Sequence, residues 1–377
     1  MKILVLRNAW RGQDYGGAEE LALDLVKELN NQKHEAFIVS GTETVAEKAK
    51  SQNTPFIRGP YSKRQILTKH RFPFLPIYLL DLQKATKAYL QIFKDFKPDL
   101  IHATGQQDSI AATKAAGELK IPIIWSDHGE LKNSLKKSIM PPWGVPGVLL
   151  KRRLGQISAL CMVNAEDIDT VRRYAPDAPI KIVPNGVVDK NPDRRQRTTE
   201  NHIVYESRII KEKGIFELLE AFKELTATHP EQKLTIAGSG PSEEEAKLYV
   251  ADNNLQGIVG FVGFVEAAMK DSSIFVLPTY TEAQSLAILK AMMYQKPILT
   301  TNIKGNTHFL KNNDNALLVK PQDPKALLEG LQKLVENKKI RDKLAKNARD
   351  YYEKHHKLEA VVSEYYTPLY EKVIRQT

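Results

Sequence analysis

Short apolar runs alternate along this chain with longer stretches whose apolar residues fall at helical spacing. KILVLRN leads into GGAEELALDLVKEL and then EAFIVS. Further on come DLIHATG, a helical stretch over Ser109–Leu119, PIIWSDHG, ALCMVNA and IKIVPNGV. The second half repeats the rhythm with HIVYESRI, GIFELLEAFKELTAT, KLTIAGSG, PSEEEAKLYVADN, GIVGFVGF, SIFVLPTY, a helix, PILTT and NALLVKP. Apolar runs this short, bounded by helices, predict strands buried on both faces, and such strands belong to parallel sheets. Strand and helix alternate in both halves, so the pattern predicts an α/β protein with two doubly wound, Rossmann-like domains.

The polar, proline-bearing stretch VVDKNPDRRQRTTENH, Val187–His202, reads as the linker between them and as the hinge. Domains are expected over 1–190 and 200–357. Two helical patterns close the chain, at about Lys338–His355 and Leu358–Ile374, and the segment 358–377 is expected as a C-terminal helix. A length of 377 residues fits two domains, since single cores stop growing beyond ~250–300 residues.

Composition narrows the class. Hydrophobic residues make up 42% and charged residues 27% of the chain, an ordinary globular mixture. The one cysteine, Cys161, lies in an apolar run and reads as a buried structural thiol. A disulfide framework is excluded, and a reducing, cytoplasmic compartment is expected. MKILVLRNAWRG reads as a first strand, its apolar run being too short for a signal-peptide core. No run approaches the ~18 apolar residues of a membrane span. A net charge of +10 favours phosphate-bearing partners. No recognition motif accompanies that charge, so nucleic acid is not expected.

In open α/β sheets ligands bind beyond the carboxyl ends of the strands, and two such domains facing each other make a cleft. Candidate chemistry is therefore sought just after each strand. Gly16 and Gly17 separate the first strand from its helix and would let backbone N–H groups approach a phosphate. A tight turn explains them as well, and the dinucleotide spacing is missing. Asp127, His128 and Glu130 follow a strand directly and read as a site, with a loop-capping role as the plainer alternative. Asn185 lies in a Pro-Asn-Gly turn that a tight turn alone accounts for. Arg208 follows a strand, while Lys213 and Gly214 open a helix; two cations beside a helix N-terminus suit a diphosphate. Gly238, Ser239 and Gly240 form a strand-to-helix turn, with Pro241 expected at the first helical position. Glu282 follows the run FVLPTY, and Lys290 comes on the next helix.

The order of the Gly-Gly loop, the His after a strand, VPNGV, SRIIKEKGIFELLEAF, IAGSGP, GFV and VLPTYTEAQSLAILKAM resembles the retaining nucleotide-sugar glycosyltransferases of GT-B fold, nearest to glycosyltransferase family 4 (group 1). The resemblance spans the chain and is strongest over Ile203–Val319. It implies a C-terminal domain that binds the donor and an N-terminal domain that binds the acceptor. It implies Arg208 and Lys213 on the departing diphosphate, His128 and Glu282 on the donor sugar, and Gly16 and Gly17 approaching the donor. Asn185, Gly238, Ser239, Gly240, Ala283, Gln284, Ser285, Leu286 and Lys290 complete the expected donor contacts. The final helix is expected to cross back to the N-terminal domain. The implied mechanism is front-face attack with retention, the leaving phosphate accepting the acceptor's proton. No cofactor and no metal are expected, because the cations carry the neutralising charge.

Several positions depart from that family. Its members carry a second glutamate where this chain has Lys290, and an ammonium donates hydrogen bonds but accepts none. Ala283, Gln284 and Ser285 replace small residues, Ser207 stands where Gly is common, and KGNTHFL offers Lys304, Gly305 and His308 in place of a Gly-Gly pair with a later Glu. Three readings stay open. The nucleotide is held differently, with Lys290 or Lys304 on a phosphate; or the donor lacks an ordinary ribose contact; or the protein is a degenerate, non-catalytic binder of sugar or nucleotide. A nucleotide-sugar 2-epimerase is a further alternative, with Asp127, Glu130 and Glu282 as available carboxylates.

The acceptor is expected to be a cell-envelope glycan or a lipid-linked sugar. Residues 63–80 and 132–155 mix basic and apolar side chains, which suits peripheral contact with an anionic membrane. Loops packing on their own domain explain the two stretches equally well.

Overall fold

The computed structural model describes residues 1–8, 16–61, 75–129, 131, 144–194 and 199–377. The chain divides into two compact units. Met1–Gly186 with Leu358–Thr377 make the first, and Val187–Lys357 the second.

The first unit holds seven parallel strands: β1 (Lys2–Leu6), β2 (Glu35–Ser40), β3 (Phe56–Arg58), β4 (Leu100–Ala103), β5 (Ile123–Asp127), β6 (Ala159–Met162) and β7 (Ile180–Ile182). They lie in the order β3-β2-β1-β4-β5-β6-β7. The central strands are apolar along their length because helices cover both faces. Ile3, Leu4, Val5 and Leu6 of β1 and Leu100, Ile101 and Ala103 of β4 are fully buried. Each such aliphatic side chain stabilises the fold by roughly 1.5–3 kcal/mol.

The second unit repeats the plan with six parallel strands: β8 (His202–Glu206), β9 (Lys233–Ala237), β10 (Val259–Phe261), β11 (Ile274–Leu277), β12 (Ile298–Thr301) and β13 (Leu317–Val319). Their order is β10-β9-β8-β11-β12-β13. Each sheet reverses its winding direction once, between β1 and β4 in the first and between β8 and β11 in the second. These are the positions at which doubly wound sheets open a crevice for ligands.

Three segments differ from the sequence-based expectation. The first is the expected linker, whose described residues are anchored on the second unit. The Val187 N–H donates to His356 O at 2.9 Å, and Tyr352 Oη donates to Val187 O. Asp189 receives two hydrogen bonds from Arg349, at 3.0 and 2.6 Å. Arg349 is only 1% exposed. A guanidinium buried so fully requires counter-charge, and Asp189, in the segment read as linker and hinge, supplies it together with Glu353. The second is Pro241, which lies ahead of its helix rather than in it: the helix begins at Glu243, with Ser242 as N-cap. The third is the final helical pattern, which splits into Leu358–Val361, a π-helical turn Val362–Tyr366 and Thr367–Arg375. Pro368 has no amide hydrogen to offer the preceding turn, so the regular ladder is interrupted there.

That C-terminal segment packs within the first unit. Tyr370 Oη lies 2.7 Å from His102 Nδ1, and His102 Nε2 lies 2.7 Å from Ser126 Oγ. Gly186 allows the close approach, since a Cβ there would stand 2.9 Å from Leu358 Cα.

Candidate functional site

In the second unit the loops after β8 and β11 flank the switch point, and they carry the charged residues singled out from sequence. After β8 the chain runs through Arg208, an exposed side chain, whose backbone carbonyl accepts from Tyr205 Oη at 3.0 Å. It then forms a short 3-10 turn, Lys211–Lys213. Gly214 follows at φ 72° and caps the helix Ile215–Thr228. A Cβ at Gly214 would stand 2.1 Å from Pro278 O, so both the left-handed backbone and the close approach require glycine.

The loop after β11 is tied to that turn by its main chain. The Tyr280 N–H donates to Glu212 O at 2.9 Å, and Thr279 Oγ1 donates to the same carbonyl at 3.3 Å. Tyr280 Oη donates to Glu217 on the following helix. These contacts bring Lys213 and Glu282 together, and Lys213 Nζ donates to Glu282 Oε1. Their side chains are 12% and 14% exposed, so the pair is largely shielded from water. Two positions read separately as a phosphate cation and a sugar acceptor are thus each other's partner.

Lys290 also finds an acid. It sits on the helix Leu286–Met293, with Nζ 3.6 Å from Glu206 Oε1 at the end of β8, the two side chains being 18% and 12% exposed. Ser285 is the N-cap of that helix and is buried, while Ala283, Gln284 and Leu286 are half-buried beside it. Gly305 packs against the opposite side of the same loop, where a Cβ would stand 1.9 Å from Glu282 O. Lys304 opens the short helix Lys304–Thr307.

The turn after β9 closes the crevice. Gly238 has φ 149°, and a Cβ on it would meet Ser207 O at 1.9 Å; one on Gly240 would meet Ile209 O at 2.3 Å. The Ile209 N–H donates to Ser239 O at 2.9 Å, so the two loops run backbone to backbone. The Ser242 N–H likewise donates to Ile209 O, at 3.0 Å.

In the first unit the corresponding switch point is filled by a polar network whose members the sequence reading did not single out. Arg7 follows β1 and pairs with Glu19 at 2.7 Å, and its Nη1 donates to Thr104 O at 2.6 Å. Glu19 in turn accepts from the Gly16 N–H at 3.0 Å. The helix that starts at Gly17 is therefore capped by its own acid, and Gly16, at φ −148°, is in extended backbone. Asp108 is 2% exposed and receives the Asn8 N–H at 3.0 Å, Asn8 Nδ2 and Tyr89 Oη. Burial pushes the Asp108 carboxyl up to about 6, against these donors and the Arg7 charge.

His128 follows β5, and its Nδ1 lies 3.0 Å from Asn185 Oδ1. Because that oxygen only accepts, Nδ1 carries the hydrogen and Nε2 is the acceptor face of a neutral ring. Burial, and then the Arg7 charge, lower His128 to about 4, so the ring is neutral at pH 7. Asn185 thus orients His128 within the first unit. Asp127 Oδ1 accepts from the Gly129 and Leu131 N–H groups, at 3.2 and 3.0 Å, which is the loop-capping role. Glu130 lies outside the described residues, as do 62–74 and 132–143, most of the two basic–apolar stretches. In the described part of those stretches Leu79, Leu80 and Val148 are exposed.

Among the described residues no group of three or more His, Cys, Asp or Glu could hold a metal ion. No helix among them is long and apolar enough to cross a membrane. Glu206 and Arg7 carried a usable signal, since each sits at or just after the end of a strand. Glu19 carried a local one, lying three residues after Gly16 in the first turn of its helix, whereas Asp108 carried none, because Asn8 and Tyr89 are distant in sequence.

Fold and site together define a protein of two doubly wound α/β units, and comparison with known proteins gives the family. Residues 15–190 match the family model Glycosyltransferase Family 4, and residues 189–351 match Glycosyl transferases group 1. The chain belongs to the group 1 glycosyltransferases, and its fold is GT-B. The capsular polysaccharide biosynthesis glycosyltransferase CapM of Staphylococcus aureus is 28% identical over 155 residues, 40% of this chain and 41% of that protein. The match thus spans about two fifths of CapM's length. An Escherichia coli UDP-Gal:alpha-D-GlcNAc-diphosphoundecaprenol alpha-1,3-galactosyltransferase is 23% identical over 296 residues, 73% of this chain and 76% of that protein. The structure of Anabaena Alr3699/HepE in complex with UDP and glucose aligns with a TM-score of 0.76 at 16% identity, covering 98% of this chain and 99% of that one.

Proposed function

We propose that the protein is a metal-independent, retaining glycosyltransferase. It would move a sugar from a nucleoside diphosphate to a cell-envelope glycan or a lipid-linked acceptor. The observation that carries this reading is the meeting of Lys213 with Glu282 from the two loops that flank the switch point of the second sheet, with Arg208 on the same loop as Lys213. As the bond from the sugar's anomeric carbon to phosphate breaks, negative charge collects on the diphosphate. Preorganised cations are the groups that stabilise such charge. The acceptor oxygen bonds to the same carbon, and its proton passes to the leaving phosphate. Glu282 holds donor-sugar hydroxyls; within the first unit, the neutral Nε2 of His128 is oriented by Asn185 to accept a hydrogen bond from a hydroxyl. The acceptor class draws on the relatives: CapM is named for capsular polysaccharide, and the E. coli enzyme acts on a diphosphoundecaprenol-linked sugar.

The epimerase alternative would use Asp127, Glu130 and Glu282 as proton-abstracting carboxylates. Asp127 is occupied as a turn cap, which favours transfer over epimerisation. The test is a donor screen that reads product formation with and without acceptor, in the presence of EDTA. Transfer that needs acceptor and survives EDTA is expected. Lys213→Ala and Arg208→Ala should each lower the rate, by roughly 10²–10³ if they act as charge-stabilising donors. Sugar conversion without acceptor would point to the epimerase, and binding without turnover to the degenerate binder.

A further inference from the structure

The residues expected to hold the two halves of a nucleotide sugar are bonded to each other. Lys213 donates to Glu282 across two loops that the main chain fixes together. The backbone is closely packed there as well: a Cβ at Gly214 would stand 2.1 Å from Pro278 O, and one at Gly305 1.9 Å from Glu282 O. An arriving diphosphate needs Lys213, and taking it leaves Glu282, only 14% exposed, beside new negative charge. A shielded carboxylate that loses its cation and gains a like-charged neighbour is strongly disfavoured unless other donors replace the ammonium. Sugar hydroxyls are such donors.

We infer that Lys213 and Glu282 form an exchangeable ion pair that couples recognition of the diphosphate to recognition of the sugar. The diphosphate takes Lys213, and the hydroxyls of the attached sugar take the released carboxylate. The inference rests on the reading above, that this crevice holds a nucleotide sugar. It has two consequences. A nucleoside diphosphate without its sugar binds poorly, although it carries more negative charge than the sugar ester. Once the sugar has been transferred, Glu282 returns to Lys213 and loosens the spent diphosphate, so the pair drives product release. Arg208 is exposed and Lys290 faces Glu206, so neither competes for Glu282 in the resting site.

Calorimetric titration of wild type and Glu282→Gln tests this, with UDP, GDP, ADP and dTDP compared with UDP-glucose, GDP-mannose, ADP-glucose and dTDP-glucose. For the base that binds, wild type should prefer the nucleotide sugar to its diphosphate by about tenfold or more, the scale of one charge-assisted hydrogen bond. In Glu282→Gln the diphosphate should bind about tenfold tighter than in wild type, since no carboxylate competes for Lys213, and the nucleotide sugar should bind no tighter. The preference then disappears. If the variant weakens both ligands in parallel, or changes neither, the exchange is overturned while the nucleotide-sugar site stands. If wild type binds no member of either panel, the site reading falls and the exchange with it. Melting of the variant by circular dichroism checks that it is folded.

Discussion

Lys290 carries an ammonium where the family resemblance leads one to expect a carboxylate, and that ammonium faces Glu206 at 3.6 Å. Both side chains are mostly buried, so the pair is largely shielded from water and each offsets the other's charge. Restoring the expected acid by Lys290→Glu alone would set two carboxylates against each other. It should destabilise the second unit by about 1–3 kcal/mol and lower turnover. Combining it with Glu206→Gln removes the clash and should recover most of both losses, measured as urea midpoint and as transfer rate. Higher activity in Lys290→Glu alone would show instead that the lysine merely spoils a ribose contact. The sequence marked Lys290 as anomalous but could not say what answers it. Glu206 lies in another strand-helix unit, and local spacing carries no information about which acid meets which base. The same holds for Lys213 and Glu282, separated by 69 residues. Charged residues at strand ends were legible one at a time; their pairing was not.

Elements fared better because their signal is local. Strands buried on both faces must be apolar along their length, so every apolar run quoted from the second half as a strand, from HIVYESRI to NALLVKP, marks a strand in the structure. Strand order is another matter. It follows from the packing of whole βαβ units, and the switch points emerge only from the assembled sheet. Glycines show the same division. Gly305 gave no hint of its role, yet its Cα sits where any Cβ would lie 1.9 Å from Glu282 O. Gly305→Ala must therefore push the Glu282 loop and the helix Lys304–Thr307 apart. Overpacking of this kind costs about 1–3 kcal/mol. The displaced carboxylate should cost more in function, roughly 10²-fold in rate for a shift of about 1 Å. Gly260→Ala on β10 is the control: nothing lies within 4 Å of the added Cβ, and both stability and rate should hold. Equal rates for the two variants would mean that the Glu282 backbone tolerates the shift.

At the scale of the molecule, the first unit is built around buried groups that titrate away from their ordinary values, and its stability should depend on pH in a definite direction. His102, fully buried between Tyr370 and Ser126, is lowered to about 3 by desolvation and by the neighbouring His128. His128 is lowered to about 4. An unfolded chain protonates both near 6.5. Between that value and about 4 the unfolded state therefore binds more protons, and stability falls as pH falls. Asp108 works the other way. Raised to about 6, it adds stability at low pH that is lost as pH rises through 6. Two imidazoles outweigh one carboxyl, so between pH 7 and pH 5 the unit should lose on the order of 2 kcal/mol. All three tryptophans of the chain, Trp10, Trp125 and Trp143, fall within 1–186, so intrinsic fluorescence during urea unfolding follows this unit alone. The midpoint should drop from pH 7 to pH 5. In His102→Gln, which keeps hydrogen-bonding capacity without a titrating ring, the drop should be visibly smaller. A midpoint that stays level or rises on acidification would mean that Asp108 outweighs both histidines. The cluster around His102 would then be held by packing of the C-terminal tyrosines rather than by a neutral ring.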